Sequence, residues 1–178
     1  MIYFTLHQDK RVINAPELMF AKKDLEELKT FPTPENLFEP KVVYVRGALT
    51  KKIDYPDLIE APVMLISEKL KPLVNQYQKN IWMRTVFLTE EQGGGQEVYY
   101  AIYVPKLRCA SKQSVYSQSR QLKEFVLNET QVGSNRIFVA KERERKLIVR
   151  LDVAESMLRR KVNGLVFEEI KNGVNEVI

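Results

Sequence analysis

Short runs of apolar, β-branched and aromatic residues recur along the chain, separated by polar and turn-forming residues. Several runs alternate between apolar and polar positions, which is the period-two pattern of a half-buried strand. The pattern predicts strands at 2–6, 42–45, 63–66, 82–88, 98–104, 122–127, 136–140, 147–151 and 165–170. Turn residues join four of them into two predicted hairpins, the first across Gly93, Gly94 and Gly95 and the second across the charged segment 141–146.

One segment changes from the strand period to the helix period. Leu70, Leu73, Val74 and Tyr77 recur at intervals of three, four and seven, which places them on one face of a helix. Ser67 precedes them and is a good N-cap residue. The spacing predicts a helix that begins near Ser67 and buries this face.

Two other helices are indicated by capping-box spacings. Asp24 with Glu27, and Asp152 with Glu155, combine an N-cap acceptor with a glutamate three residues later that can reach back to the cap amide. Gly164 then offers a left-handed stop before the last strand. The end of the chain therefore predicts a strand–helix–strand unit, and we expect Asp152 to act as its N-cap.

These elements predict an α+β protein with a mostly antiparallel sheet and a few short helices. We expect residues 1–60 to form a strand- and loop-rich N-terminal segment that packs on a main domain of residues 61–178. The chain has 178 residues, which suits one such cooperative unit.

Composition limits the classes of protein that fit. The start of the chain lacks the features of a signal peptide, and no apolar run approaches the ~20 residues of a membrane span. A single cysteine, Cys109, rules out an internal disulfide and a cysteine-cluster zinc site. We expect a soluble protein that works in the cytoplasm and does not contact membranes.

The net charge of +5 is unevenly distributed. Residues 106–123 contain five basic and no acidic side chains, and residues 141–161 contain eight basic and four acidic ones. Together the two stretches carry +9, which leaves the remainder of the chain at −4. Such asymmetry is typical of a protein whose basic half meets a partner.

Candidate catalytic chemistry is sparse. His7 is the only histidine, and Cys109 lies among basic residues that could activate its thiol, so a cysteine–histidine pair would require folding to bring these two together. The acid pairs at 90–91 and 168–169 alternate across a strand, so their members should face opposite ways. We therefore predict no catalytic residue, no cofactor and no metal ligand, and we do not expect an enzyme.

Three segments resemble a known family. Residues 61–70 (APVMLISEKL), 151–160 (LDVAESMLRR) and 164–170 (GLVFEEI) look like immunity-protein family eleven of bacterial polymorphic toxin systems, over roughly residues 57–170. The resemblance implies an α+β fold without enzymatic activity. It also implies that the protein binds and neutralises a cognate toxin inside the producing cell.

If the resemblance holds, the basic stretches suggest where the toxin binds. We expect Tyr116 and Arg120, with Arg143 and Arg145 on the second hairpin, to contact an acidic or neutral surface of the toxin. The alternative is a module that binds nucleic acid or another macromolecule through residues 106–123 and 141–161. Nucleic acid is the weaker choice, because acidic residues interrupt the second stretch and no nucleic-acid motif matches. The sequence leaves the oligomeric state open.

Overall fold

The computed structural model describes residues 1–47, 52–143 and 146–173. Its helices are α1 (Lys22–Lys29), α2 (Lys71–Tyr77), α3 (Glu129–Val132) and α4 (Leu151–Arg159). Its strands are β1 (Tyr3–Gln8), β2 (Glu17–Met19), β3 (Lys41–Arg46), β4 (Leu58–Ile59), β5 (Leu65–Ser67), β6 (Trp82–Glu90), β7 (Gln96–Tyr103), β8 (Lys106–Leu107), β9 (Val115–Tyr116), β10 (Leu122–Glu124), β11 (Val126–Leu127), β12 (Ile137–Ala140), β13 (Leu147–Arg150), β14 (Leu165–Glu169) and β15 (Lys171–Asn172). The predicted α+β class is confirmed, and most strand pairs are antiparallel.

The larger sheet has six strands in the order β2-β3-β6-β7-β5-β4. Its centre is the antiparallel pair β6–β7, whose register runs from Trp82 opposite Tyr103 to Thr89 opposite Gln96. This confirms the first predicted hairpin. Gly93 in the connecting loop has a φ of +116°, a conformation that side chains disfavour.

The second sheet has five strands in the order β14-β1-β13-β12-β8. The first strand of the chain, β1, lies between β13 and β14 and is antiparallel to both. The pair β12–β13 confirms the second hairpin. Residues 1–60 thus supply β1 to this sheet and β2, β3 and β4 to the other; the predicted division at residue 60 stays a prediction.

The two sheets share one apolar core. Strands β7, β5 and β4 of the larger sheet and β1, β12 and β13 of the smaller one contribute buried side chains, together with α2 and α4. Its buried members are Leu6, Leu58, Ile66, Leu70, Leu73, Val74, Tyr100, Ile102, Ile137, Val139, Leu147, Val149, Val153, Ala154 and Met157. The predicted buried face of α2 is therefore confirmed for Leu70, Leu73 and Val74.

Each sheet also carries apolar side chains on its other face. The six-stranded sheet packs there against α1 through Leu28, and the five-stranded sheet packs against β11 and α3 through Leu127 and Val132. Both additional clusters rest on the same strands as the shared core. The sheets are consequently covered on two sides over much of their area.

A buried arginine joins α1 to the six-stranded sheet. The Arg84 side chain on β6 is completely buried, and its Nη1 lies 2.8 Å from Glu27 Oε1 on α1. Arg84 Nε donates to the carbonyl of Glu39 (2.8 Å). Lys41 Nζ lies 2.7 Å from the second oxygen of Glu27, and its hydrogen bond, with that of Arg84, holds the Glu27 pKa below its usual range. This carboxylate compensates a cation that could not otherwise be buried.

The predicted N-caps are wrong at three positions. The helices α1, α2 and α4 begin after Ala21, Leu70 and Arg150, and none of these residues makes a side-chain capping hydrogen bond. The predicted cap residues instead have other partners. Asp24 pairs with Lys41, Ser67 Oγ donates to Asp57 Oδ1, and Asp152 accepts from Arg150.

The predicted strand–helix–strand unit at the end of the chain is confirmed. Strand β13 leads directly into α4, and Gly164, with a φ of +67°, precedes β14. Among the helices in the described ranges α4 is the longest, at nine residues, so none of them could cross a bilayer.

Candidate partner-binding surface

The first basic stretch forms an arm that the strand prediction did not anticipate. We call residues 106–124 the basic arm. The sequence predicted a loop at 111–121 and one strand at 122–127. In the structure β9 pairs with β10 as a two-stranded ribbon, and the predicted strand is divided into β10 and β11.

A hydrogen-bonded stem holds the base of the arm. The amide of Asn128 donates to the carbonyl of Cys109 (2.8 Å), and the amide of Ser111 donates to the carbonyl of Val126 (2.7 Å). Ser114 Oγ bonds both the amide and the carbonyl of Val126, each at 3.0 Å. Because Cys109 and Leu127 are buried in the cluster beneath α3, the stem is fastened to the core.

The tip of the ribbon has a defined turn. The amide of Ser117 donates to the carbonyl of Gln121 (2.8 Å), while Ser117 Oγ accepts from the Gln121 amide (3.0 Å). Arg120 in this turn has a φ of +59°, which is uncommon for a residue with a side chain. Main-chain bonds at the tip and at the stem therefore constrain an arm whose side chains are mostly exposed.

The arm combines exposed positive charge with exposed apolar surface. All five of its basic side chains are exposed: Lys106, Arg108, Lys112, Arg120 and Lys123. Val115 and Tyr116 are also about half exposed, at 46% and 47%. Glu124, the acidic residue of the arm, is paired with Lys171 at 2.5 Å. An arrangement of cations around an aromatic ring suits an acidic partner that also offers apolar or planar groups.

Three of the four predicted contact residues lie in the described part of the chain, and they have different surroundings. Tyr116 and Arg120 lie on the ribbon and are exposed. Arg143 lies near the base of the arm, with its guanidinium 5.5 Å from the centre of the Phe125 ring. It also donates to the buried Thr5 Oγ1 (3.0 Å), and its side chain is only 22% exposed. Arg143 therefore contributes to packing, and Arg145 lies outside the described residues.

The second basic stretch, 141–161, is described except for residues 144 and 145. Some of its described cations, among them Lys141, Arg159 and Lys161, are exposed, and others bond within the protein. Lys146 pairs with Glu60 (2.9 Å), Arg150 with Asp152 (2.6 Å), and Arg160 donates to Ser156 Oγ (2.6 Å). These residues are distributed over the start of β13 and along α4, where they hold local structure together.

The cysteine is not an activated thiol. Cys109 is completely buried, and burial, with a smaller contribution from Glu142, raises its pKa to about 12. The basic residues beside it in sequence point away into solvent, so they do not lower this pKa. The ring nitrogens of His7 face Glu168 and Lys146 rather than the thiol. The structure therefore does not assemble the cysteine–histidine pair that the sequence left open.

Only one of the two acid pairs lies within a strand. Glu168 and Glu169 are consecutive residues of β14 and both are exposed, with Glu168 2.8 Å from His7, whereas Glu91 lies in the turn after β6. Glu90 accepts from Tyr55 and Glu91 pairs with Arg46. Among the residues that the structure describes, no three acidic, histidine or cysteine side chains are grouped as metal ligands would be.

Comparison with known proteins adds no relative. No protein-family model matches the chain, and no curated protein matches it either.

Proposed function

We propose that this protein is an immunity protein that binds and neutralises a cognate bacterial toxin without catalysis, and that the basic arm supplies the main contact. The observation that carries this proposal is the arm itself. It carries five exposed cations and an exposed tyrosine, of which Tyr116, Arg120 and Lys123 lie on the β9–β10 ribbon, and its stem is fastened to the core. The choice of a toxin as the partner rests on the resemblance of residues 61–70, 151–160 and 164–170 to immunity-protein family eleven.

The positive charge of the arm indicates the charge of the toxin surface that it would contact. Cations in the arm would repel a phosphate-binding groove, which is itself positively charged, and would attract a surface rich in carboxylates. We therefore expect the arm to dock on an acidic or neutral face of the toxin. Attraction of this kind accelerates association and weakens with salt.

The test is rescue of growth. The genes beside this one are searched for a toxin-like protein, the protein is co-expressed with it, and survival is compared between the natural chain and two variants. The arm variant combines Lys112→Ala, Arg120→Ala and Lys123→Ala. The control variant combines Lys10→Ala, Lys23→Ala and Lys79→Ala, which lie elsewhere, are also exposed and remove the same charge. The natural chain and the control should protect, and the arm variant should not; no protection by the natural chain would refute the proposal.

The second candidate function is binding to single-stranded nucleic acid. The observation that favours it is Tyr116, an exposed ring among cations, because aromatic side chains stack on bases. Binding of a random oligonucleotide would then weaken with salt in proportion to the phosphates contacted. Micromolar affinity at physiological salt that is lost in the arm variant and kept in the control would favour this function over toxin binding.

A further inference from the structure

The only histidine of the chain lies where the two sheets meet. His7 is near the end of β1 in the five-stranded sheet, and its side chain is about a quarter exposed. Glu60 follows β4 of the six-stranded sheet. It exchanges hydrogen bonds with Gln8, which is the residue after His7. The Gln8 amide donates to Glu60 Oε2 at 2.9 Å, and the Glu60 amide donates to Gln8 Oε1 at 3.3 Å. A polar joint thus links the sheets beside His7.

Both ring nitrogens of His7 face charged side chains. Nε2 lies 2.8 Å from Glu168 Oε2 on β14, and Nδ1 lies 3.3 Å from Lys146 Nζ at the start of β13. The same ammonium donates to Glu60 Oε1 at 2.9 Å, and this oxygen is 3.8 Å from Nδ1. Arg143 adds a second cation, since its Nη2 is 3.9 Å from Glu168 Oε2. Glu168, Lys146 and Glu60 therefore lie 2.8, 3.3 and 3.8 Å from the imidazole nitrogens, Arg143 lies beside Glu168, and these four charged side chains come from three segments of the chain.

The hydrogen bonds define the protonation state that this arrangement needs. An ammonium can only donate, so Nδ1 must accept from Lys146 and carry no proton. Nε2 then carries the proton and donates it to Glu168. This is the neutral form of histidine, in which one nitrogen donates and the other accepts.

Protonation of the ring removes the acceptor. Nδ1 would become a donor that faces the Lys146 ammonium at 3.3 Å, and the two like charges would repel. The nearest available acceptor is Glu60 Oε1, which Lys146 already uses. His7 and Lys146 would then compete for one oxygen of the joint.

We propose that His7 is a pH-dependent latch between the two sheets, in which neutral His7 holds Lys146 and protonated His7 displaces it from the imidazole and competes for Glu60. It does not depend on the identity of the partner. Through Arg143, which contacts both Glu168 and the Phe125 ring, it reaches the base of the basic arm.

Nuclear magnetic resonance can follow the latch directly, because the chain has one imidazole to observe. In the natural chain, the amide signals of Gln8, Glu60 and Lys146 should shift between pH 5.5 and 8 with the midpoint of the His7 ring signals. In His7→Gln these shifts should disappear. Amide signals that stay constant in the natural chain, or that shift equally in His7→Gln, would overturn the proposal.

Two variants test the charges themselves. Lys146→Met removes the facing ammonium, so the midpoint of the ring titration should move to higher pH by about half a unit or more; Glu168→Gln should move it to lower pH by a similar amount. Lys141→Met and Glu169→Gln are matched controls, because both residues are exposed and neither contacts His7. Unchanged midpoints in Lys146→Met and Glu168→Gln, with well-dispersed spectra, would contradict the latch.

Discussion

Two strongly charged regions of this protein use their charge in opposite ways. Beneath α1, the Arg84 guanidinium is completely buried and Glu27 compensates it at 2.8 Å. In the basic arm, five cations are exposed and the residues from 106 to 123 include no acid. In the first region the charged groups hold a helix to a sheet, whereas in the second they lie at the surface. The comparison indicates that placement, and not the number of cations, distinguishes the structural region from the surface that we propose binds the partner.

The largest expected effect concerns the buried region. Glu27→Gln removes the nearer of the two carboxylates that face the Arg84 guanidinium and leaves only Glu39, at 3.7 Å, so the free energy of unfolding should fall by about 3 kcal/mol in urea denaturation. Glu26→Gln is the matched control, because Glu26 is 65% exposed and its nearest cation, Lys29, is 3.7 Å away. That control should change stability by less than about 0.5 kcal/mol. Equal losses in both variants would show that the Glu27–Arg84 pair contributes no more to stability than the exposed carboxylate of Glu26.

The same carboxylate predicts how stability changes with pH. The hydrogen bonds from Lys41 and Arg84 lower the Glu27 pKa in the folded state. A lowered pKa stabilises the folded protein above the pKa of the unfolded chain, and this stabilisation is lost as the pH falls through the folded-state pKa. The difference in unfolding free energy between the natural chain and Glu27→Gln should therefore be full at pH 7 and shrink in acid below about pH 4. A difference that is independent of pH would contradict the assigned ion pairs.

A smaller effect separates two roles for Asp152. The sequence predicted an N-cap, whereas the structure places its carboxylate 2.6 Å from Arg150 and 3.3 Å from Arg136, and the Arg150 hydrogen bond lowers the Asp152 pKa. Asparagine caps helices about as well as aspartate but carries no charge. Asp152→Asn should therefore cost about 1 kcal/mol if the ion pairs dominate. A thermal midpoint that is unchanged by this substitution would indicate that Asp152 acts as an N-cap and not mainly through its ion pairs.

The smallest expected effect on stability concerns the arm. Lys112→Ala, Arg120→Ala and Lys123→Ala together should change the free energy of unfolding by less than about 0.5 kcal/mol, because the stem and the turn are held mainly by other groups. Arg120→Ala does not relieve the unfavourable positive φ at position 120, because alanine, like arginine, carries a Cβ atom. Urea denaturation measures this change. A loss above about 2 kcal/mol would mean that the arm cations are structural after all.

The longer strands and the buried face of α2 could be predicted because they depend on local periodicity, whereas the short strands β2, β4, β8, β9 and β15 and the four-residue helix α3 were not predicted. The caps could not, because Asp24, Ser67 and Asp152 can each serve either as a cap or as a partner for a side chain elsewhere. Asp24 and Ser67 are engaged by the tertiary partners Lys41 and Asp57, and Asp152 is engaged by Arg150 two residues before it, with Arg136 as a more distant partner. Local pattern therefore defines the elements but not their polar connections.

The candidate surface was predicted only in part, for a related reason. The basic run 106–123 is visible in the sequence, and with it Tyr116 and Arg120. Its ribbon is not, because serine- and glutamine-rich segments resemble loops and the stem requires contacts between residues about 15–20 positions apart. The packing of Arg143 depends on Thr5, which is 138 positions away in sequence.

The most direct test of the contrast between the two charged regions is the affinity of the arm variant for the toxin, measured against the control variant at several salt concentrations. Both variants remove three exposed cations, so they alter the net charge equally. The account predicts that the arm variant binds about tenfold or more weakly at low salt and loses most of the salt dependence of the natural chain, while the control binds almost as tightly as the natural chain. Equal weakening in the two variants would contradict the account, because it would assign the effect to total charge and not to the arm.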